Sequence, residues 1–218
     1  MNAFARLLLC TALSGLALGA QARTFEVSDF AELDDAVIEA EDGDEIVIKK
    51  GVYELEAPLE IFSRVTVRGE QGAVIDAGGR GSGFIVRVPK VRIENLTVRN
   101  YGGDLYARDA GVMVGDGADG TELVNLTLQG PGFGVRADRM NALVVEGCTI
   151  EGDAARHVLD RGDGIFLSYV KNARLNHNSL RNVRDGYYLE NVDAAKSDFN
   201  YFTGAQYGIH YMYTLSLI

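Results

Sequence analysis

A glycine-led strand motif returns at a fixed interval in this chain and restricts its fold more than any other feature. Gly164-Ile165-Phe166-Leu167, Gly186-Tyr187-Tyr188-Leu189 and Gly208-Ile209-His210-Tyr211 begin 22 residues apart. A second motif, over residues 145–150, 175–180 and 197–202, keeps time with the first: Asn178 to Asn200 is 22, and Cys148 to Asn178 is 30, longer by eight residues. Periods in the twenties mark solenoids, in which each repeat buries its apolar face only against its neighbours. Each repeat has room for two short apolar strands and their turns, and none for a helix. The expected fold is all-β, a single-stranded right-handed parallel β-helix. With 26 glycines against 3 prolines, tight turns rather than proline linkers join the strands.

The amino terminus reads as a processing segment. Arg6 is a charged flank, residues 7–19 are an apolar run, and Ala20-Gln21-Ala22 is a small-x-small cleavage signal, so the mature chain is expected to begin near Arg23. The run is too short to span a membrane of roughly 20 apolar residues. Cys10 lies inside it, whereas a lipid-carrying cysteine follows such a run. Cleavage leaves Cys148 as the one mature cysteine, so no internal disulfide is expected. Loss of Arg6 takes the formal charge from −10 to −11, and no basic stripe marks a nucleic-acid surface.

Three segments follow from this reading: a leader over 1–22, a cap over 23–44, and a β-helix over 45–218. Residues 29 to 42 read as one amphipathic helix, with Asp29 as cap, Glu32 as its reciprocal partner, and Phe30, Leu33, Val37 and Ala40 on one face. Such a helix covers the open end of the first rung, which would otherwise expose apolar cross-section and strand edges. Two rungs are longer by about eight residues, near Tyr101 to Arg108 and Asp153 to Arg161. Insertions of this kind form loops on one face, often the binding face.

Alternation along a strand assigns faces. Ile165, Tyr187 and Ile209 point inward; Phe166, Tyr188 and His210 point outward and stack as one exposed column, with Ser168, Glu190 and Met212 beside them. Met113, Arg136 and Asp138 extend these columns backward. Leu96, Leu126, Cys148, Asn178 and Asn200 fill an inward turn slot, where the asparagines can bond along the stack.

Four groups carry potential chemistry. His210 and Met212 share a strand face, and imidazole with thioether suits Cu(I), although two donors leave a site incomplete. An ordinary surface or contact role is the competing reading. His177 sits in a turn position, and His157 lies in an insertion with Asp153 and Asp160. Asp163 and Asp185 stack one rung apart, the arrangement a glycosidic carboxylate pair needs, yet each precedes a turn glycine where aspartate serves the backbone.

Residues 65–70 with 72–79, Asp109-Ala110-Gly111-Val112 and Gly162-Asp163-Gly164-Ile165, and above all Arg184-Asp185-Gly186-Tyr187 and Tyr207-Gly208-Ile209-His210-Tyr211-Met212-Tyr213, carry a resemblance: with them the chain resembles the NosD family. The resemblance implies a pectin-lyase-like solenoid in the periplasm and a non-enzymatic accessory protein in the maturation of nitrous oxide reductase. The implied partners are the ATPase and membrane subunits of an ABC-type transporter, a copper chaperone and the reductase, with contact to the membrane only through the transporter. Copper is the implied metal, which makes His210 and Met212 candidate ligands and Phe166, Tyr188, Glu190, His210 and Met212 a candidate partner face. The family continues for several rungs past the His-Tyr-Met-Tyr strand, so the coil is expected to lack its C-terminal rungs. A carbohydrate-active β-helix, a lyase or hydrolase using Asp163 and Asp185, is the alternative.

Overall fold

A computed structural model describes residues 21–214. Residues 1–20, which contain the apolar run, and residues 215–218 lie outside the described residues. Within them the chain winds through three seven-stranded parallel sheets, each rung adding one strand to each sheet. The first sheet runs from Thr24–Val27 through Glu45–Ile48 to Arg174–Asn176, the second from Gly51–Glu54 to Tyr201–Thr203, and the third from Leu59–Ile61 to Tyr207–Met212.

Each rung therefore has three strands rather than the two expected. The reason is a bend inside the second motif. Asn95, Asn125, Gly147, His177 and Phe199 occupy equivalent positions with φ of 58°, 52°, 67°, 56° and 56°. A left-handed residue turns the chain sharply, and glycine and asparagine adopt that conformation most readily. The segment that reads as one strand is thus split into Glu122–Val124 and Thr127–Gln129, and likewise in the rungs of Asn95, Gly147 and His177; in the last rung only Tyr201–Thr203 is a strand, preceded by a single bridge from Lys196 to Arg174.

Inside the coil, equivalent residues stack. Ile46, Val67, Ile93, Leu123, Val145 and Leu175 form one fully buried column along the first sheet. Phe84, Val112, Val135, Ile165 and Tyr187 form another along the third. Each such side chain contributes roughly 1.5–3 kcal/mol by burial, and only through contact with its two neighbours in the stack. The glycine that opens each third-sheet strand is dictated by this packing. A Cβ on Gly164 would strike the inward Leu180 side chain and lie 2.7 Å from the Gly186 carbonyl oxygen.

The helix spans Phe30–Glu39 and buries Leu33 and Ala36, with Phe30 and Val37 packed against the core beside them. Asp29 accepts a hydrogen bond from the Glu32 N–H, while Glu32 reaches one residue further back than expected, to the N–H and hydroxyl of Ser28. The helix stops short of residue 42 because Ala40 is extended and Gly43 turns with φ of 95°. A strand precedes it, Thr24–Val27, which pairs in parallel with Glu45–Ile48.

Candidate functional site

The outward face of the third sheet carries the expected columns. Phe166 pairs in register with Tyr188 and Tyr188 with His210; Ser168 pairs with Glu190 and Glu190 with Met212. Arg136 and Met113 continue the first column and Asp138 the second. The aromatic column is half-buried rather than exposed, because the rings cover one another. Phe166 lies flat on Tyr188 with centroids 5.0 Å apart and an interplanar angle of 4°. Tyr188 meets His210 edge-on at 4.8 Å, and Tyr207 flanks His210 at 5.2 Å. Two guanidiniums cover the column: Arg136 at 4.1 Å from the Phe166 ring and Arg184 at 5.7 Å from Tyr188. Placement over a ring face adds electrostatic attraction to the packing and holds the rings in place.

Behind His210 lies the feature that a sequence reading misses. Nδ1 of His210 is 2.8 Å from Oδ2 of Asp185, whose side chain is 4% exposed against 34% for the imidazole. The other Asp185 oxygen, Oδ1, is buried without a hydrogen-bond partner. An ionised Asp185 makes Nδ1 the protonated nitrogen and leaves the Nε2 lone pair to accept a proton, a donor or a metal. A carboxylate behind an imidazole in this way fixes ring orientation, as in many metal sites. Rung arithmetic contains the signal: Asp185 to His210 is 25 residues, one 22-residue turn and three more. Met212 stands two residues further on the same outward face and is 37% exposed.

Asp163 is fully buried. Its two oxygens accept from Nε and Nη2 of Arg184 at 2.9 and 2.6 Å, and it also accepts from the Asp185 N–H at 3.2 Å. Burial pushes its carboxyl up to about 6 against the opposing pull of Arg184. Asp163 and Asp185 are thus adjacent, as expected, but Asp163 is committed to Arg184 and neither carboxylate lies open in a groove.

The two insertions converge beside this face. Gly103, Asp104, Leu105 and Tyr106 from one, with Arg156, Leu159 and Asp160 from the other, line a cleft of about 660 Å³ that also reaches Arg184. Tyr101, at the start of the first insertion, is not part of a loop surface: its ring is buried against Gly111 and Gly130.

The remaining candidates take structural positions. His157 caps the short turn Val158–Asp160, its Nδ1 accepting from the Leu159 N–H, and Asp153 pairs with Arg156 instead of joining it. His177 occupies the left-handed bend and stacks on Phe199 at 5.1 Å. Cys148 fills the inward slot, where burial pushes its thiol up to about 11. Asn178 and Asn200 in that slot form a ladder onto the backbone: each Oδ1 accepts the N–H of the slot residue one rung back, Cys148 at 3.0 Å and Asn178 at 2.9 Å. Among the described residues, no group of three or more His, Cys, Asp or Glu could hold a metal ion. His210 and Met212 offer two donors, which suit Cu(I) in kind and leave its coordination open.

Comparison with known proteins agrees with this architecture. Residues 56–217 match the family model described as right handed beta helix region. Two curated relatives are similar, both called probable ABC transporter binding protein NosD. The one from Stutzerimonas stutzeri is 39% identical over 137 residues, covering 63% of this chain and 30% of the relative. The one from Pseudomonas aeruginosa PAO1 is 36% identical over 136 residues, covering 62% and 30%. The chain thus matches about 30% of the length of these relatives, and the resemblance to NosD proteins is borne out by both. A solved structure from Parabacteroides merdae, described as a candidate glycosyl hydrolase, superposes with a TM-score of 0.57 at 13% identity, over 85% of this chain and 96% of that one; it shares the fold. The chain belongs to the right-handed β-helix family, with NosD proteins among its relatives.

Proposed function

We propose that this chain is a periplasmic accessory protein that assists assembly of the copper centres of nitrous oxide reductase, without being an enzyme itself. In this reading it docks on the ATPase and membrane subunits of an ABC-type transporter and works with a copper chaperone and the reductase. The name of both relatives, probable ABC transporter binding protein, supports the transporter contact. The observation that carries the reading is the outward column ending in His210, braced from behind by Asp185 and flanked by Glu190 and Met212. Copper is cargo here. His210 Nε2 and the Met212 sulfur supply two soft or borderline donors, and the open coordination positions let a partner protein complete and then take over the ion. The rigid ring stack sets the geometry of the imidazole, and the half-buried aromatics supply the apolar anchors that protein interfaces favour.

Cleavage of polysaccharides by Asp163 and Asp185 has the weaker geometry, since both oxygens of Asp163 are held by Arg184. Capture of the transporter subunits by the immobilised mature chain tests the proposal. Wild type is expected to retain them, and Tyr188→Ala with His210→Ala to lose most of that retention. Equal capture by both, or none by wild type, contradicts it.

A further inference from the structure

A carboxylate remote from the His210 face is built around the point where the leader ends. Asp44 is buried, its side chain 4% exposed. Its Oδ1 accepts the main-chain N–H of Arg23 at 2.7 Å. Its Oδ2 accepts Nε and Nη2 of the same residue at 3.0 and 2.7 Å, and the Glu41 N–H at 2.9 Å. Nη2 of Arg23 also donates to the Glu39 carbonyl at 3.0 Å, and Glu41 adds a looser ion pair at 3.7 Å. One side chain thus grips Arg23 by its backbone nitrogen and its guanidinium together. Gln21 and Ala22, immediately before it, are exposed and outside any strand. Arg23 joins the first sheet: its carbonyl accepts the Glu45 N–H at 2.9 Å, and Thr24–Val27 enters that sheet directly after it. The small-x-small signal Ala20-Gln21-Ala22 ends at the same bond.

We propose that Asp44 is a receptor for the chain's own processed amino terminus, formed by hydrolysis of the Ala22–Arg23 bond. An endopeptidase of the export pathway adds one water across the amide. The C–N bond breaks, Ala22 leaves as the carboxylate end of the released leader, and the Arg23 nitrogen takes up the proton and becomes an ammonium group. The nitrogen that donated one neutral N–H to Oδ1 then carries a full positive charge at the same place. Charge-assisted bonds to a buried carboxylate are markedly stronger than neutral ones. Processing therefore tightens the seam that closes the first sheet under the capping helix. This inference is independent of copper and of the transporter.

Two measurements test it. Intact mass and amino-terminal sequencing of the exported protein are expected to place Arg23 first; a start elsewhere overturns the proposal. A chain beginning at Arg23 is then compared with one that keeps Gln21-Ala22, in wild type and in Asp44→Asn. The exact chain is expected to melt roughly 3–8 °C higher in wild type, and the gap to close in Asp44→Asn. Equal melting of the two wild-type chains overturns it, as does a gap that persists in Asp44→Asn. Should Asp44→Asn not fold, acetylation of the Arg23 α-amine on the wild-type chain decides: a fall in Tm supports the ion pair, and no change overturns it.

Discussion

Replacing Asn178 by leucine isolates the inward ladder that holds the late rungs together. Two rungs earlier the same slot holds Leu126, so leucine fits the fold in size and polarity at that position. At Asn178 the outcome differs, because the backbone has come to depend on the amide. Oδ1 holds the Cys148 N–H at 3.0 Å, and Nδ2 donates to the Val145 carbonyl at 2.9 Å and to the Tyr187 hydroxyl at 3.1 Å. Leucine strips a partner from each of these groups, and because Val145 and Cys148 are fully buried each one left unsatisfied costs the upper part of the usual range, about 2–3 kcal/mol. The Tyr187 hydroxyl can turn to another acceptor, so two full losses set the scale, and apolar burial of the leucine returns about 2 kcal/mol. The net expectation is a loss of about 2–4 kcal/mol, or roughly 5–15 °C in Tm for a chain of this size. Urea unfolding followed by far-UV circular dichroism measures it: the midpoint falls while the slope stays constant. A loss below about 1 kcal/mol, or a gain, refutes the claim that the ladder stabilises these rungs.

Three further outcomes follow from buried groups. Tyr101→Phe removes a buried hydroxyl that has no partner, and is expected to raise stability by about 1 kcal/mol in the same assay; a comparable loss would mean the hydroxyl is bound in solution. Asp163 has a folded pKa raised by burial to about 6, so its contribution to stability is complete below about pH 4 and is lost as pH rises through 6. Thermal melts from pH 4 to 7 should therefore slope less in Asp163→Asn, and an unchanged slope contradicts the assignment. Cys148, with its thiol pushed up to about 11, should resist alkylation at pH 8 until the coil is unfolded; rapid labelling of the native protein would place it elsewhere.

The coil was legible because a parallel β-helix converts distance along the chain into position in space. Equal 22-residue steps became the Phe166–Tyr188–His210 column without any knowledge of contacts. The third strand per rung was hidden because its boundary is a single left-handed residue, and in the late rungs that residue is His177 or Phe199, which do not announce a turn. The brace behind His210 was hidden for a different reason. Asp185 opens the strand Asp185–Glu190, in register with Tyr207, and strict alternation puts it on the inward side with Tyr187, so face assignment alone could not bring it to the imidazole. Asp163 read as a turn residue and is one of the most buried charges in the chain, because its partner Arg184 arrives from the next rung. Tyr101 opened an insertion by length, yet its ring packs where Gly111 and Gly130 leave space.

Affinity for Cu(I), measured by competition with a chromophoric chelator, tests the functional claim most directly. The account predicts that wild type binds more tightly than His210→Ala and Met212→Ala. It also predicts that Asp185→Asn, which touches no metal, weakens binding by about 10-fold or more through the imidazole it braces. Equal affinities across wild type and all three variants would contradict it.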